Sequence, residues 1–540
     1  MPDGNIEWTA TDDGLKAALA SIVGPDGVKD DEAARRLHSS DIWSESREPV
    51  ALVVAPAGVE QLSAVMALLH KAGVAVAPRG AGMSYTSGFV PVVAGTVALD
   101  MRRMDRVVEV RPDDMVVTVE AGCTWAALNQ ALAPHGLRTP FWGPMSGLTS
   151  TIGGGLSQLN AMLGAGHHGT SSESVVALTM VLADGSVLRT GARGADGDTP
   201  FYRHFGPDLT GLFCGDCGTL GVKAQITLRL IQAPQHEDYA SFAFATGGDL
   251  LRAMAAMARA GIAAEMCAFD PGLTKVRMQR ASLTGDVKAL GAVVARQKSL
   301  LRGLWEGFRV AAAGRDFVDL DSYPLHIIAE GRSKEGVAHD MATARRIAAE
   351  IGGREIENTI AKVIRALPFP PLNSAMGPGG ERWLPIHGLT SLSQAPALFE
   401  ALQAVFAGLA PEMERLGLRT GYLFTSMSTN GLILEPVIYW PAERLPAHYE
   451  ALEPSHMERL PSHPPNPEAT ALVMEVRKLL IVTFKKFGCG HLQIGRTYPY
   501  RDSRDEASRR LLDAIKDIVD PARALNPGVL GFDFQGKNRE

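Results

Sequence analysis

Three glycine-rich stretches constrain this chain more than any other feature: Arg-Gly-Ala-Gly-Met-Ser at 79–84, Gly-Gly-Gly at 153–155 followed by Gly164, Gly166 and Gly169, and Gly215-x-x-Gly218-x-x-Gly221. Glycine is needed where the backbone takes positive φ or a ligand approaches the main chain closely. Successive exposed N–H groups in such turns cradle a diphosphate without help from basic side chains. Each stretch alone reads equally well as a tight turn. The third has glycines three apart and leads into a strand, so it is not the Gly-x-Gly-x-x-Gly fingerprint, which follows a strand and opens a helix. No Walker A sequence occurs.

The surrounding pattern supplies strands and helices to carry these turns. Residues 49–56 read as a buried strand, 58–73 as a helix with Val59, Leu62, Met66 and Leu69 on one face and Gly73 as its stop, and 74–77 as a second strand running into the first glycine loop. Hairpins are expected at 107–119, turning at Pro112, and at 175–190, turning at Asp184–Gly185. A helix is expected from Trp125 to near Gly136, and a closing strand at 220–231. Because 540 residues exceed what one core accommodates, a change of texture near residue 235 marks a second unit. There, helical stretches at 249–260, 286–302, 338–351 and 397–416 alternate with strands at 422–426 and 432–440. A long amphipathic helix over 468–487 and a final helix over 505–519 follow. The expected fold class is α+β: a two-lobed ligand-binding domain (1–235), an α+β cap (236–487) and a C-terminal return to the first domain (488–540).

Taken in order, the segments Pro-Arg-Gly-Ala-Gly-Met-Ser-Tyr (78–85), Thr-Ile-Gly-Gly-Gly (151–155), His-Gly-Thr-Ser-Ser-Glu-Ser (168–174), the turn at 208–222 and Leu-Asn-Pro-Gly (525–528) resemble the FAD-binding module of the vanillyl-alcohol oxidase / p-cresol methylhydroxylase flavoprotein superfamily. The resemblance covers roughly residues 40–235 and 485–531 and implies FAD as cofactor. It implies pyrophosphate binding by the first loop (Arg79, Gly80, Ala81, Gly82, Met83, Ser84) and flavin contact by Thr151, Gly153, Gly154, Gly169 and Ser174. It also implies an adenine-side turn at Gly218, Gly221 and Val222, and a return of Asn526 towards the ring. Many relatives attach FAD to a histidine in the first loop. Met83 stands at that place and its thioether cannot form the link, so FAD is expected to be non-covalent. The family often forms dimers, which makes a homodimer an expectation here.

The flavin carries the redox step, so the protein must position a substrate and handle a proton. The segment 488–501 offers His491, Gln493, Arg496, Tyr498 and Tyr500. A histidine there suits proton acceptance, since its ordinary pKa lies near neutrality. An arginine with tyrosines suits a phenolate or carboxylate. The alternative is a loop whose side chains only pack at a junction. Residues 381–388 add Arg382, Trp383 and His387. Strand alternation at 432–440 sets Glu435 with Ile433 and Val437, opposite Leu432 and Leu434. A carboxylate among apolar neighbours is costly to bury alone, so Glu435 either pairs with an arginine or faces the active site. Trp383, Tyr439 and Trp440 serve as core or as substrate walls. His167 and His168, read on an extended chain, point to opposite faces, and Cys214-x-x-Cys217 lacks a second cysteine pair, so no metal is expected.

Two branches of the superfamily compete for the reaction. The 2-hydroxy-acid dehydrogenases of D-lactate and glycolate type carry a His-x6-His pair with an asparagine and a Glu-His-Gly stretch. This chain has no histidine at 425–436 and has Gly490-His491-Leu492 instead. The alkylphenol branch uses Tyr and Arg near the C-terminal return, for which Arg496 with Tyr498 or Tyr500 stands in at a different spacing. The expected reaction is therefore hydride transfer to FAD from an aromatic or benzylic alcohol or a 4-alkylphenol. A 2-hydroxy-acid dehydrogenase is the alternative, and a flavoprotein or electron-transfer subunit without turnover is the alternative of another class. The electron acceptor stays open between oxygen, a cytochrome and a quinone. A net charge of −6 without long runs of one sign speaks against a nucleic-acid partner. The apolar run 175–182 is far shorter than a membrane span. The acidic, polar opening residues resemble neither a secretory signal nor a transit peptide, so a cytoplasmic protein with a small-molecule substrate is expected.

Overall fold

The computed structural model describes residues 12–193, 200–280 and 319–535. The expected helix at 286–302 lies outside them. The first lobe is a four-stranded sheet in the order Val28–Lys29, Leu52–Val54, Val97–Asp100, Val76–Arg79. Leu52–Val54 and Val76–Arg79 both run parallel to Val97–Asp100, which requires a crossover between them. The helix Val59–Ala72 provides it, burying Leu62, Val65, Met66 and Leu69 and stopping at Gly73 in the left-handed region.

The second lobe is a five-stranded antiparallel sheet in the order Val107–Arg111, Val116–Glu120, Val222–Arg229, Val175–Val181, Val187–Arg189. Its outer pairs are the two expected hairpins. Thr151 caps the short helix Ile152–Gln158 by accepting from the Gly154 N–H at 3.3 Å, so the second glycine run opens a helix.

The third sheet has eight strands, with Gly431–Trp440 pairing Arg419–Met427 on one side and Arg382–Pro385 and Gly388–Ser391 on the other. Helices Gly247–Ala260, Lys334–Glu350, Ala395–Gly408 and Pro467–Lys486 cover one face, where Leu432, Leu434, Ile438 and Trp440 join the largest core. The helix expected at 397–416 is two helices, Ala395–Gly408 and Ala410–Arg415. Pro411 accounts for the break: it has no N–H for the preceding turn and fits the first turn of a new helix.

The other face of this sheet turns towards the two lobes. Val437, Tyr439, Phe269 and Ile328 pack there with Trp142 and Leu163. Trp440 and Tyr439 are thus core residues on opposite faces, and Glu435 looks towards the lobes. A buried ion network ties this seam. Arg138 of the second lobe pairs with Glu330, which also accepts from Arg365 at 2.9 Å, and Arg365 reaches Glu265 at 2.5 Å. Glu265 in turn accepts from the Gly164 N–H at 2.8 Å. Among the described residues, no helix is long and apolar enough to cross a membrane.

Candidate active site

A cavity of about 320 Å³ runs between the lobes and the eight-stranded sheet. Its wall at one end is the first loop (Arg79 to Tyr85), Thr151 and Gly153–Gly155 of the second run, and Gly218, Gly221 and Val222 of the third. Gly82 has φ +73, and a side chain there would run into the Arg79 guanidinium. A side chain at Gly80 would strike the Thr151 hydroxyl. The backbone N–H groups of Ala81, Gly82 and Met83 donate to no protein acceptor among the described residues. Arg79 is 2 % exposed, and none of its three guanidinium nitrogens has a hydrogen-bond partner. Burial pulls its pKa down to about 10, yet it remains a cation at neutral pH. An unpaired buried guanidinium beside unpaired amides is expensive unless an anion enters. A diphosphate fits that demand.

Other polar groups fix the loops. Lys223, in the cavity wall, donates to Asp216 at 2.6 Å and to Ser157 at 2.9 Å, joining the second and third runs. Asn526 is 2 % exposed and donates to the Gly88 and Cys217 carbonyls, each at 2.6 Å. It clamps two loops together and is not part of the cavity wall. Ser174 accepts from the Phe141 N–H at 3.2 Å within the core. Gly169 lines a separate pocket with His167, His168 and Ser428. The expected flavin contacts of Gly169 and Ser174 are therefore not what the structure places at this cavity.

The far end of the same cavity holds Tyr85, Trp383, Leu423, Glu435, Gln493 and Arg277. The Tyr85 hydroxyl donates to Glu435 Oε2 at 3.4 Å and accepts from Gln493 Nε2 at 2.9 Å. Trp383 meets the Tyr85 ring edge-on at 5.5 Å. Burial raises the Glu435 pKa to about 7, against the opposing pull of the Tyr85 hydrogen bond and the more distant Arg277 charge. Arg277 lies over the Phe269 ring at 4.0 Å.

Of the six side chains expected to act on substrate, Glu435 alone lines the cavity. His387, His491 and Tyr498 form a knot behind the wall. The His387 N–H donates to the Tyr498 hydroxyl at 2.8 Å, the Leu492 N–H donates to His387 Nε2 at 2.9 Å, and the His491 Nδ1 meets the His387 carbonyl at 2.9 Å. His491 and Tyr498 stack at 3.9 Å. Burial drives the His387 pKa down to about 3 and that of His491 to about 4, so both imidazoles are neutral, and both ring nitrogens of His387 and the Nδ1 of His491 are committed to this junction. Arg496 is anchored through its N–H to the Thr86 carbonyl at 3.1 Å, and Tyr500 packs beside Val529, Leu530 and Phe532. The segment turns one polar side chain, Gln493 at φ +48, into the cavity. His167 and His168 lie on the helical turn Ala165–His168, not on an extended chain, with rings 5.9 Å apart. Sequence reasoning missed Tyr85 and Arg277. The position of Tyr85 directly after the first loop was a signal for it, whereas Arg277 sits on an ordinary polar helix.

The FAD binding domain family matches residues 50–191. A probable mitochondrial D-lactate dehydrogenase of Danio rerio is 33% identical over 228 residues, which is 42% of this chain and 44% of the relative. Glycolate oxidase subunit GlcD of Bacillus subtilis is 29% identical over 221 residues, 41% of this chain and 45% of the relative. The matched part is thus less than half the length of either relative. Among solved structures, p-cresol methylhydroxylase with substrate bound superposes with a TM-score of 0.70 at 16% identity, covering 96% of this chain and 97% of that one. The 4-ethylphenol oxidase from Gulosibacter chungangensis gives 0.70 at 16%, covering 99% of each. Residues 50–191 match the FAD binding domain family, FAD is the cofactor, and the chain shares the fold of p-cresol methylhydroxylase and 4-ethylphenol oxidase.

Proposed function

We propose that this protein is an FAD-linked oxidase or dehydrogenase that removes a hydride from an aromatic or benzylic alcohol or a 4-alkylphenol. One observation carries the reading: the glycine cradle and a Glu435–Tyr85–Gln493 set walled by Trp383 and Leu423 share one cavity. An aromatic substrate finds an edge-to-face partner in Trp383 or Tyr85. The Glu435 carboxylate, with a pKa raised to about 7, is matched to accepting a hydroxyl proton near neutrality. FAD, when bound, supplies the hydride acceptor. Tyr85, held by Gln493, orients the carboxylate so that the proton has one direction to leave. Pro370, Pro371 and Leu372 add apolar surface to the cavity wall.

A second reading, a 2-hydroxy-acid dehydrogenase, is favoured by the D-lactate dehydrogenase and glycolate oxidase relatives and by Arg277, a cation in the wall suited to a carboxylate. Anaerobic bleaching of the bound flavin by a panel of phenols, benzylic alcohols and hydroxy acids tests both. Bleaching by the aromatic compounds is the expected result. Bleaching only by hydroxy acids transfers the proposal to the second reading, and bleaching by none supports a flavoprotein without turnover. Reoxidation by oxygen compared with a dye then separates oxidase from dehydrogenase.

A further inference from the structure

A second pocket, of about 380 Å³, opens on the seam between the second lobe and the eight-stranded sheet, lined by His167, His168, Gly169, Glu173, Arg229 and Ser428. Glu330 comes up beside it from the strand Tyr323–Gly331. The ligand atoms of His167, His168 and Glu330 all lie within 4.8 Å of one another, a grouping that no residue of the first cavity shares. We propose that His167, His168 and Glu330 form a binding site for a first-row divalent metal ion such as Zn²⁺, Ni²⁺ or Cu²⁺, with its remaining positions open to the pocket.

Several features favour a metal over a simple polar cluster. His167 Nε2 is buried and has no hydrogen-bond partner. A ligating imidazole presents such a free ring nitrogen to the ion. Two imidazoles and a carboxylate form a donor set that suits zinc, nickel and copper better than calcium or magnesium. A four-coordinate ion holds its donors about 3.3 Å apart, given bonds of about 2.0–2.1 Å. The three ligand atoms would have to close from within 4.8 Å of one another to that spacing.

Glu330 also binds Arg138 and Arg365. A carboxylate has about four lone-pair directions and can serve both arginines and an ion, but the two cations lower the affinity. The histidine pair therefore carries most of the binding. The ion would join a turn of the second lobe to the eight-stranded sheet, which already touch where the Gly166 N–H donates to Ala264 and the Ser428 N–H donates to Ala165, both at 2.9 Å.

The test uses the FAD-loaded full chain, freed of metal with a chelator, and its His167→Ala and His168→Ala variants. Flavin content and far-ultraviolet circular dichroism serve as controls for folding. Calorimetric titration with Zn²⁺ is expected to give one site, weakened at least tenfold in each variant. With Cu²⁺, paramagnetic resonance is expected to show coupling to two nitrogens in the parent and to one in either variant. The proposal is overturned if the parent takes up no stoichiometric ion, or if both variants bind it as the parent does, which would put the ion elsewhere. Should one variant lose its flavin, the other variant together with the parent Cu²⁺ spectrum still decides the matter.

Discussion

Replacing Glu435 by Gln removes the group on which the proposed chemistry turns, and the structure sets the size of the effect. With a pKa near 7, the carboxylate is about 9% ionised at pH 6 and about 91% at pH 8, so a base-dependent flavin reduction rises about tenfold across that range. The glutamine variant cannot accept a proton. Its reduction should be slower by about 10²–10⁴ and flat in pH over the same window. Stability moves in the opposite sense. The folded pKa of about 7 lies above the unfolded value of 4.5, so the folded protein holds the proton more tightly. The penalty for the buried carboxylate is absent below about pH 4.5, grows as pH rises, and is complete above about pH 7. Its upper bound is about 3 kcal/mol. The glutamine variant should therefore resist urea better than the parent at pH 8 and match it at pH 4.5. Anaerobic stopped-flow reduction and urea titration at those pH values measure the two halves. A parent profile that the glutamine variant reproduces would refute the assignment of Glu435 as the base. An unchanged urea midpoint at pH 8 would refute its burial as an ionised group.

Arg79→Met should stabilise the FAD-free protein, because a buried cation with no partner is removed. The same change should weaken FAD by roughly 2–4 kcal/mol, some thirty- to thousandfold, as charge-assisted bonds to the diphosphate are lost. Unfolding of the apoprotein and fluorescence titration with FAD check the two signs, and equal FAD affinity would show that the guanidinium meets no anion. Asn526→Ala leaves the buried Gly88 and Cys217 carbonyls without their donor. It should cost about 2–4 kcal/mol in urea and loosen FAD, whereas an unchanged midpoint would mean that water replaces the amide at no cost.

Much of the fold was legible because its signals are local. The helix Val59–Ala72 announces itself by a buried stripe and a terminal glycine, and both hairpins by their turn residues. The glycine loops were legible for the same reason: Gly80 and Gly82 stand where a side chain would collide with Thr151 or Arg79. The substrate end was not, because burial alters chemistry without altering the sequence. Near residue 490 a histidine, an arginine and two tyrosines looked available. In the fold, His491 Nδ1 and the Tyr498 hydroxyl are spent on His387, and Gln493 is the side chain that reaches the cavity. Glu435 was legible as an anomaly, a carboxylate in an apolar strand. Its partner Tyr85 lies 350 residues away, a pairing that no spacing rule encodes. His167 and His168 were misread because four residues of helix were taken for extended chain, and the two conformations aim adjacent rings differently.

The clamp at Asn526 raises a question of magnitude. It joins positions 438 and 309 residues apart, and closing a loop of over 400 residues costs about 5 kcal/mol in chain entropy. Two amide hydrogen bonds contribute only about 1 kcal/mol each, so they cannot be what holds the C-terminal segment in place. Leu525, Val529, Leu530 and Phe532 are all buried nearby, and burial of such side chains is worth about 1.5–3 kcal/mol apiece. Lys516, itself fully buried, adds bonds to Asp520 and to the Thr219 carbonyl at 2.6 Å. Apolar docking therefore closes the loop. Asn526, already delivered to its place, decides how the first and third glycine turns face each other. Its substitution should accordingly show in FAD affinity before it shows as detachment of the tail, and protection of the amides near 525–532 from hydrogen exchange in the alanine variant would separate the two.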